Sequence, residues 1–583
     1  LAVLRDEAYF TGPVGGAERQ TPEITIQQHD RSTVNVGTSI RSGVRVLTER
    51  PASVLPVYLL VVGISAVTRV PVLVGLAAII GLLAADGRLD TLFTELQAAD
   101  LEQLSETPQS ELGPEALSPA LEAAVLDLFS PEIVALFVGA VGTAIVVSIL
   151  ANGFGNAAAI NGIYGCLYGT DGVRDAVDGV GRDWKPFVGI ALAQVGILLL
   201  GAVPLAIGAG LFSVSPVAGT AATLVGGLLS VAIIIVGLLL LAFAGQAVVV
   251  DGVGFGGALR RSAGFPFRQP IPFVAYILVT LGVFGALSVL GGLFGALGVS
   301  QLTGILSPLV AIPFVDAFKT ALYADRPFSP RAVDQHQSSP TETQVTDGGD
   351  QRTVDDMQTA TDDETAADHE ETAVDDQSPA ADKPPYRQRF VGAFRDGLAA
   401  LGGFVRGHPV PILAAAAVFG LAAVGGWQLT AQYALDLPPG GDVGEIFGTF
   451  PLAVFVMLAA NNWLVSATAI YGGIALGVPT AVDMLLNGFI VGAVYGVVEP
   501  LTFAALVAPH GVIELPAIII AGGLGFHLAV TVAGVFRGTR TPTELANVLR
   551  LAYRVLLGLA VVLVIASFIE AFLTPAIAEL VLQ

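Results

Sequence analysis

Apolar runs of about twenty residues or more, the length a helix needs to cross a hydrocarbon core, recur along this chain. They fall at 55–85, 133–152, 186–212, 218–250, 271–297 and 305–323, and again at 411–429, 446–471, 479–498, 516–536 and 553–572. Hydrophobic residues make up 54% of the sequence and charged residues 13%, where an average globular chain carries about 25% charged. Polar side chains are too few to cover this surface in water, so the bilayer must be the solvent. In lipid every backbone N–H and C=O needs a partner within its own segment, which favours helices. The predicted fold class is therefore all-α, a polytopic transmembrane protein with about eleven membrane helices arranged six plus five. Arg69 and Pro71 interrupt the first run, which reads either as one long tilted helix or as two pieces.

Positive charges test this count, because Arg and Lys gather on the cytoplasmic side of membrane helices. Arg31, Arg41, Arg45 and Arg50 precede the first run; Arg174, Arg182 and Lys185 separate the second from the third. Arg260, Arg261 and Arg268 precede the fifth run, and Lys319, Arg326 and Arg331 close the sixth. Arg387, Arg389, Arg395 and Arg406 precede the seventh; Arg537, Arg540, Arg550 and Arg554 separate the last two. One crossing per run puts all of these on one side. The expected topology is a cell-membrane protein with its N-terminus and linker cytoplasmic and its C-terminus external.

The domain reading follows. Residues 1–50 form a cytoplasmic segment, and 51–324 a six-helix module with an acidic external loop at 86–131. Residues 325–388 form a disordered acidic linker, and 389–583 a five-helix module. Sixteen acids against three arginines lie between 325 and 382, and eleven acids against Arg88 between 86 and 132. The linker has too little apolar area to fold. The net charge of −22 argues against nucleic acid as a partner, which needs a basic footprint. Acid-rich segments and only three lysines resemble the composition of proteins from salt-loving archaea. Cys166 is the single cysteine, so no internal disulfide forms. No secretory signal peptide is expected; the first membrane helix would serve for targeting.

The first six runs carry a weak repeat. Asp171-Gly172-Val173 leads through Arg182 to Pro186, and Asp251-Gly252-Val253 leads through Arg260 and Arg261 to Pro272. Arg45 and Arg50 lead likewise into Pro51 and Pro56. The expectation is three hairpins, each preceded by an interfacial helix with arginines among the headgroups. The stretch from Gln246 to Val253 and on to Leu259-Arg260-Arg261-Ser262 loosely resembles the membrane domain associated with glycerophosphoryl diester phosphodiesterases. The catalytic motifs of those enzymes are missing.

The stretch 461–527 is richest in polar signals. It holds Asn461-Asn462, Tyr471-Gly472-Gly473, Asn487-Gly488, and Pro509-His510-Gly511-Val512-Ile513-Glu514-Leu515-Pro516-Ala517. This order resembles the stage II sporulation protein M family, over about residues 390–583. The resemblance implies that Asn462, Asn487, His510 and Glu514 are the family's polar positions. It also implies association with a membrane-bound envelope complex.

Physical chemistry allows several uses of these residues. His510 and Glu514 share a helix face if their segment is helical, and Pro516 suits the first turn of a new helix. They would then bond each other and tie a re-entrant turn to that helix. Polar groups in lipid are otherwise functional by default, so a proton or ion path, or a metal or hydrolytic centre, stays open. Asn462 and Asn487 suit stitching between helices. Asp483 lies one turn before Asn487 and could cluster with it, and His527 reads as a packing residue. Gly472, Gly473, Gly488 and Gly511 suit close helix approach. No catalytic residue, metal or cofactor is assigned, because His510 and Glu514 make only two ligands.

The favoured function is a non-enzymatic membrane scaffold or assembly factor, partnered by the lipid bilayer and by other membrane or envelope proteins. A small-solute or ion transporter using Asn462, Asn487, His510 and Glu514 is the alternative, and an intramembrane hydrolase a second one.

Overall fold

The computed structural model describes residues 36–98, 119–324, 386–431 and 451–582. Among the described residues the regular elements are helices, and eleven are long and apolar enough to cross a membrane. The acidic linker expected at 325–388 lies almost wholly outside the described residues, as do parts of the N-terminal segment and of the loop at 86–131.

The helices in order are α1 (Val36–Glu49), α2 (Pro51–Ala66), α3 (Val70–Ala85), α4 (Arg88–Ala98), α5 (Pro119–Asp127), α6 (Pro131–Tyr168) and α7 (Gly172–Gly210). There follow α8 (Pro216–Leu240), α9 (Ala244–Asp251), α10 (Phe255–Arg268), α11 (Pro270–Ala296), α12 (Gln301–Leu306) and α13 (Ile312–Ala324). Beyond residue 385 come α14 (Tyr386–Gly407), α15 (Pro409–Thr430), α16 (Leu452–Tyr471), α17 (Val478–Val497), α18 (Pro500–Phe536), α19 (Pro542–Phe568) and α20 (Thr574–Leu582). Proline opens most of the spanning helices, where its missing N–H costs nothing. At α19, Thr541 and Glu544 complete a reciprocal capping box.

Several boundaries differ from those expected. The first run is neither one regular helix nor two separated pieces: α2 and α3 join through a tightened turn, Val67–Arg69. Helix α6 continues well past Asn152, to Tyr168. Asn156 bonds back to the carbonyl of Asn152 at 2.9 Å. Asn161 is buried, receiving a bond from Arg182 at 2.8 Å and donating to Asp183 at 3.1 Å.

The three-hairpin expectation holds only in part. Helices α1 and α10 are separate arginine-bearing helices ahead of spans, but the basic segment before Pro186 is continuous with α7. The two Asp-Gly-Val copies also serve differently. Asp171 caps the N-terminus of α7. Asp251 ends α9, pairing with Arg261 at 2.6 Å and accepting from Tyr323 at 2.6 Å, and Gly252 is left-handed.

The main core draws on both sides of residues 325–385. Val46, Tyr58, Ile163 and Val173 pack in one cluster with Phe404, Tyr471, Met484, Leu524 and Leu549. A Cβ on Gly63 of α2 would lie 2.2 Å from the carbonyl oxygen of Tyr471 at the end of α16. The Tyr471 hydroxyl donates to the carbonyl of Leu549 at 3.3 Å. Arg550 pairs with Asp171, and Arg389 donates to the carbonyl of Thr48 at 3.3 Å. By contrast α8 and α11 turn large aliphatic side chains outward, among them Leu224, Leu228, Leu278 and Val289. That is the surface expected of helices facing lipid tails.

Candidate functional site

Helix α18 runs unbroken through Pro509 and Pro516. Each proline lacks an N–H, so the carbonyls four residues earlier lose their intrahelical partner. Prolines are tolerated in membrane helices because their fixed φ is helical and breaking the helix in lipid would orphan still more backbone groups. The re-entrant turn and fresh helix start expected at Pro516 are therefore not formed.

The continuous helix keeps His510 and Glu514 one turn apart on one face. They do not hydrogen-bond each other. A third group faces them, Glu570, carried by a π-helical turn, Ile569–Leu573, between α19 and α20. Such a turn inserts an extra residue and rotates the side chains after it. Thr574 donates its hydroxyl to the carbonyl of Ile569 at 3.2 Å across this turn. His510 Nε2 lies 3.7 Å from Glu570 Oε1, with the two side chains 12% and 19% exposed. One potential ligand atom from each of His510, Glu514 and Glu570 falls within 4.8 Å of the others.

The cluster is under-satisfied. His510 Nδ1 and Glu514 Oε2 are buried and have no hydrogen-bond partner among the described residues. On the same stretch as Glu570, Phe568 and Phe572 stack at 4.8 Å, and Phe455 of α16 packs against both at 6.2 and 6.0 Å. Burying polar atoms without a partner is costly. Along the axis of α18, Glu514 lies roughly 35 Å from Arg537, slightly more than a hydrocarbon thickness. The cluster thus sits toward the bilayer boundary away from the arginine-bearing ends.

The other predicted positions lie elsewhere. Asn462 is 6% exposed in α16. Its Oδ1 accepts from Asn461 at 3.4 Å, and its Nδ2 is buried without a partner. Asn487 donates to the backbone carbonyl of Asp483 at 2.7 Å, within its own helix, and Asp483 Oδ2 is unpartnered. Neither asparagine hydrogen-bonds another helix, His510 or Glu514 among the described residues. His527 packs edge-on to His408 at 4.4 Å and near Phe404 at 6.1 Å.

Of the glycines, Gly473 and Gly488 sit where a Cβ would meet the carbonyls of Gly525 and Phe419 at 2.1 and 2.2 Å. At Gly472 an added Cβ would lie 2.9 Å from Pro479. Gly511 does not serve helix approach: the nearest atoms belong to Val507 and Leu515 of its own helix. Gly492, which would clash with the Ala423 carbonyl at 1.8 Å, was signalled by its four-residue spacing from Gly488 and Gly496. Glu570 was signalled too, as a lone acid within the last apolar run.

This geometry defines a polytopic helical membrane protein with a buried His–Glu–Glu cluster in its C-terminal part. Residues 412–575 match the family model described as stage II sporulation protein M, a range that includes all three cluster residues. An uncharacterized protein of Methanocaldococcus jannaschii is 31% identical over 137 residues, covering 22% of this chain and 75% of that protein. No solved structure matches. Through its C-terminal third, the chain belongs to the stage II sporulation protein M family.

Proposed function

We propose that this protein is a non-enzymatic scaffold of the cell membrane, an assembly platform for other membrane or envelope proteins. The observation that carries this reading is the shared core, in which helices from both sides of residues 325–385 interlock at backbone distance. An interlocked body suits presenting fixed surfaces to partners, whereas alternating access needs two bodies that rock against each other. In this reading the arginine-bearing ends face the cytoplasm together with the acidic linker, and the His510 cluster and C-terminus face outward. The family name supports an envelope role in spore formers. The acid-rich segments suit a salt-rich archaeal cell.

Affinity purification of a tagged chain from chemically crosslinked native membranes tests this. The expected result is a stoichiometric complex with one or more membrane or envelope proteins. Recovery of the chain alone, together with substrate flux in proteoliposomes, would favour transport instead. That second reading draws on one observation, the unpartnered polar atoms of His510 and Glu514.

A further inference from the structure

We infer that His510, Glu514 and Glu570 bind a divalent transition-metal cation of the zinc class. This goes beyond the scaffold reading, which neither requires the ion nor falls with it.

Two carboxyl groups and an imidazole meet within 4.8 Å of one another. No arginine or lysine bridges to Glu514 or Glu570 among the described residues. Two carboxylates at this separation repel each other, and their burial strips hydration. A divalent cation cancels both charges and supplies a partner for atoms that the protein leaves bare. Glu514 Oε2 is such an atom.

The ligand set selects the ion. One imidazole and two carboxylates suit Zn²⁺ and its neighbours, which accept mixed nitrogen and oxygen donors. Ca²⁺ and Mg²⁺ favour oxygen donors, Ca²⁺ in larger number and Mg²⁺ in octahedral geometry. Three protein ligands leave a coordination position open. Ligand atoms around tetrahedral zinc lie roughly 3.3 Å apart at bond lengths near 2 Å. The 3.7 Å between His510 Nε2 and Glu570 Oε1 closes to that value by small rotations of flexible glutamate torsions. The π-helical turn brings Glu570, 56 residues beyond Glu514 in the chain, into the set. Such turns are frequent at functional sites.

The test uses the full chain, purified in detergent with a tag that does not bind metals. It is stripped with a chelator, dialysed against Zn²⁺ or Mg²⁺, and assayed for metal content and thermal unfolding. The expected result is one zinc per chain and a midpoint raised by Zn²⁺ but not by Mg²⁺. Glu570→Gln and Glu514→Gln, which keep side-chain shape, should each weaken zinc binding by on the order of 100-fold. His510→Gln should do the same. Asn462→Ala should bind zinc as the parent does, because it lies outside the set. Co²⁺ loading adds a readout independent of folding, since its visible absorption reports the ligands directly. Sub-stoichiometric zinc with no change in midpoint would overturn the inference. So would equal binding by the parent and all three ligand variants, which would mean adventitious capture by exposed acids. Partner capture in crosslinked membranes is a separate measurement, so its outcome does not bear on this one.

Discussion

Gly63→Leu is expected to destabilise the folded protein by about 3 kcal/mol or more, at the upper end of overpacking costs. The reason is the nature of the obstacle. A Cβ at this position would lie 2.2 Å from the Tyr471 carbonyl oxygen and 2.4 Å from its carbonyl carbon. A flexible side chain could swing aside, but here the whole end of α16 would have to move. Tyr471 is itself fully buried and holds the Leu549 carbonyl through its hydroxyl, so its displacement spreads into α19. Gly63→Ala should already cost a measurable part of this. Gly81→Leu is the control, because nothing lies within 4 Å of a Cβ there. Reversible unfolding in mixed micelles, followed by circular dichroism, would read all three. Equal stability of Gly63→Leu and the parent would mean that α2 and α16 do not pack as described.

The second large effect concerns a charge. The Tyr58 hydroxyl donates to Asp316 at 2.8 Å, and Lys319 Nζ lies 3.8 Å from the same carboxylate. The side chains of Lys319 and Asp316 are 15% and 16% exposed. Removing one member of a buried pair leaves the other charge uncompensated, which costs about 3 kcal/mol. Lys319→Met should show that loss. The double variant Asp316→Asn with Lys319→Met should recover most of it, since no lone charge remains and Tyr58 keeps an acceptor. The pair's coupling follows from the full set of single and double variants. Additive losses would contradict a coupled pair.

Much of the fold was readable from sequence because the bilayer is a strict solvent. A hydrocarbon core demands runs of about twenty apolar residues and internal backbone pairing, so the eleven spans declare themselves. Helix ends were harder. Asn152, Asn156 and Asn161 suit a helix leaving the membrane, but the end of the apolar run does not end the helix, and their amides bond within α6 or to Arg182 and Asp183. Pro509 and Pro516 look like breaks, yet helix continuity wins where no water can satisfy a broken backbone. At the candidate site, the four-residue spacing of His510 and Glu514 was legible as a shared face. Glu570 stood out as a lone acid in the last apolar run, but its meeting with them was not legible, because it arrives from the next helix through a π-helical turn. Gly488 was legible as small, but the Phe419 carbonyl it admits is a tertiary fact.

Helices on either side of residues 325–385 form one body through their shared core. Cutting the purified full-length chain at a protease site introduced between residues 340 and 370 puts this to the test. The two fragments are expected to stay together in detergent, co-eluting at the size of the uncut chain until they are denatured. Separation into two independently folded fragments under the same conditions would contradict it.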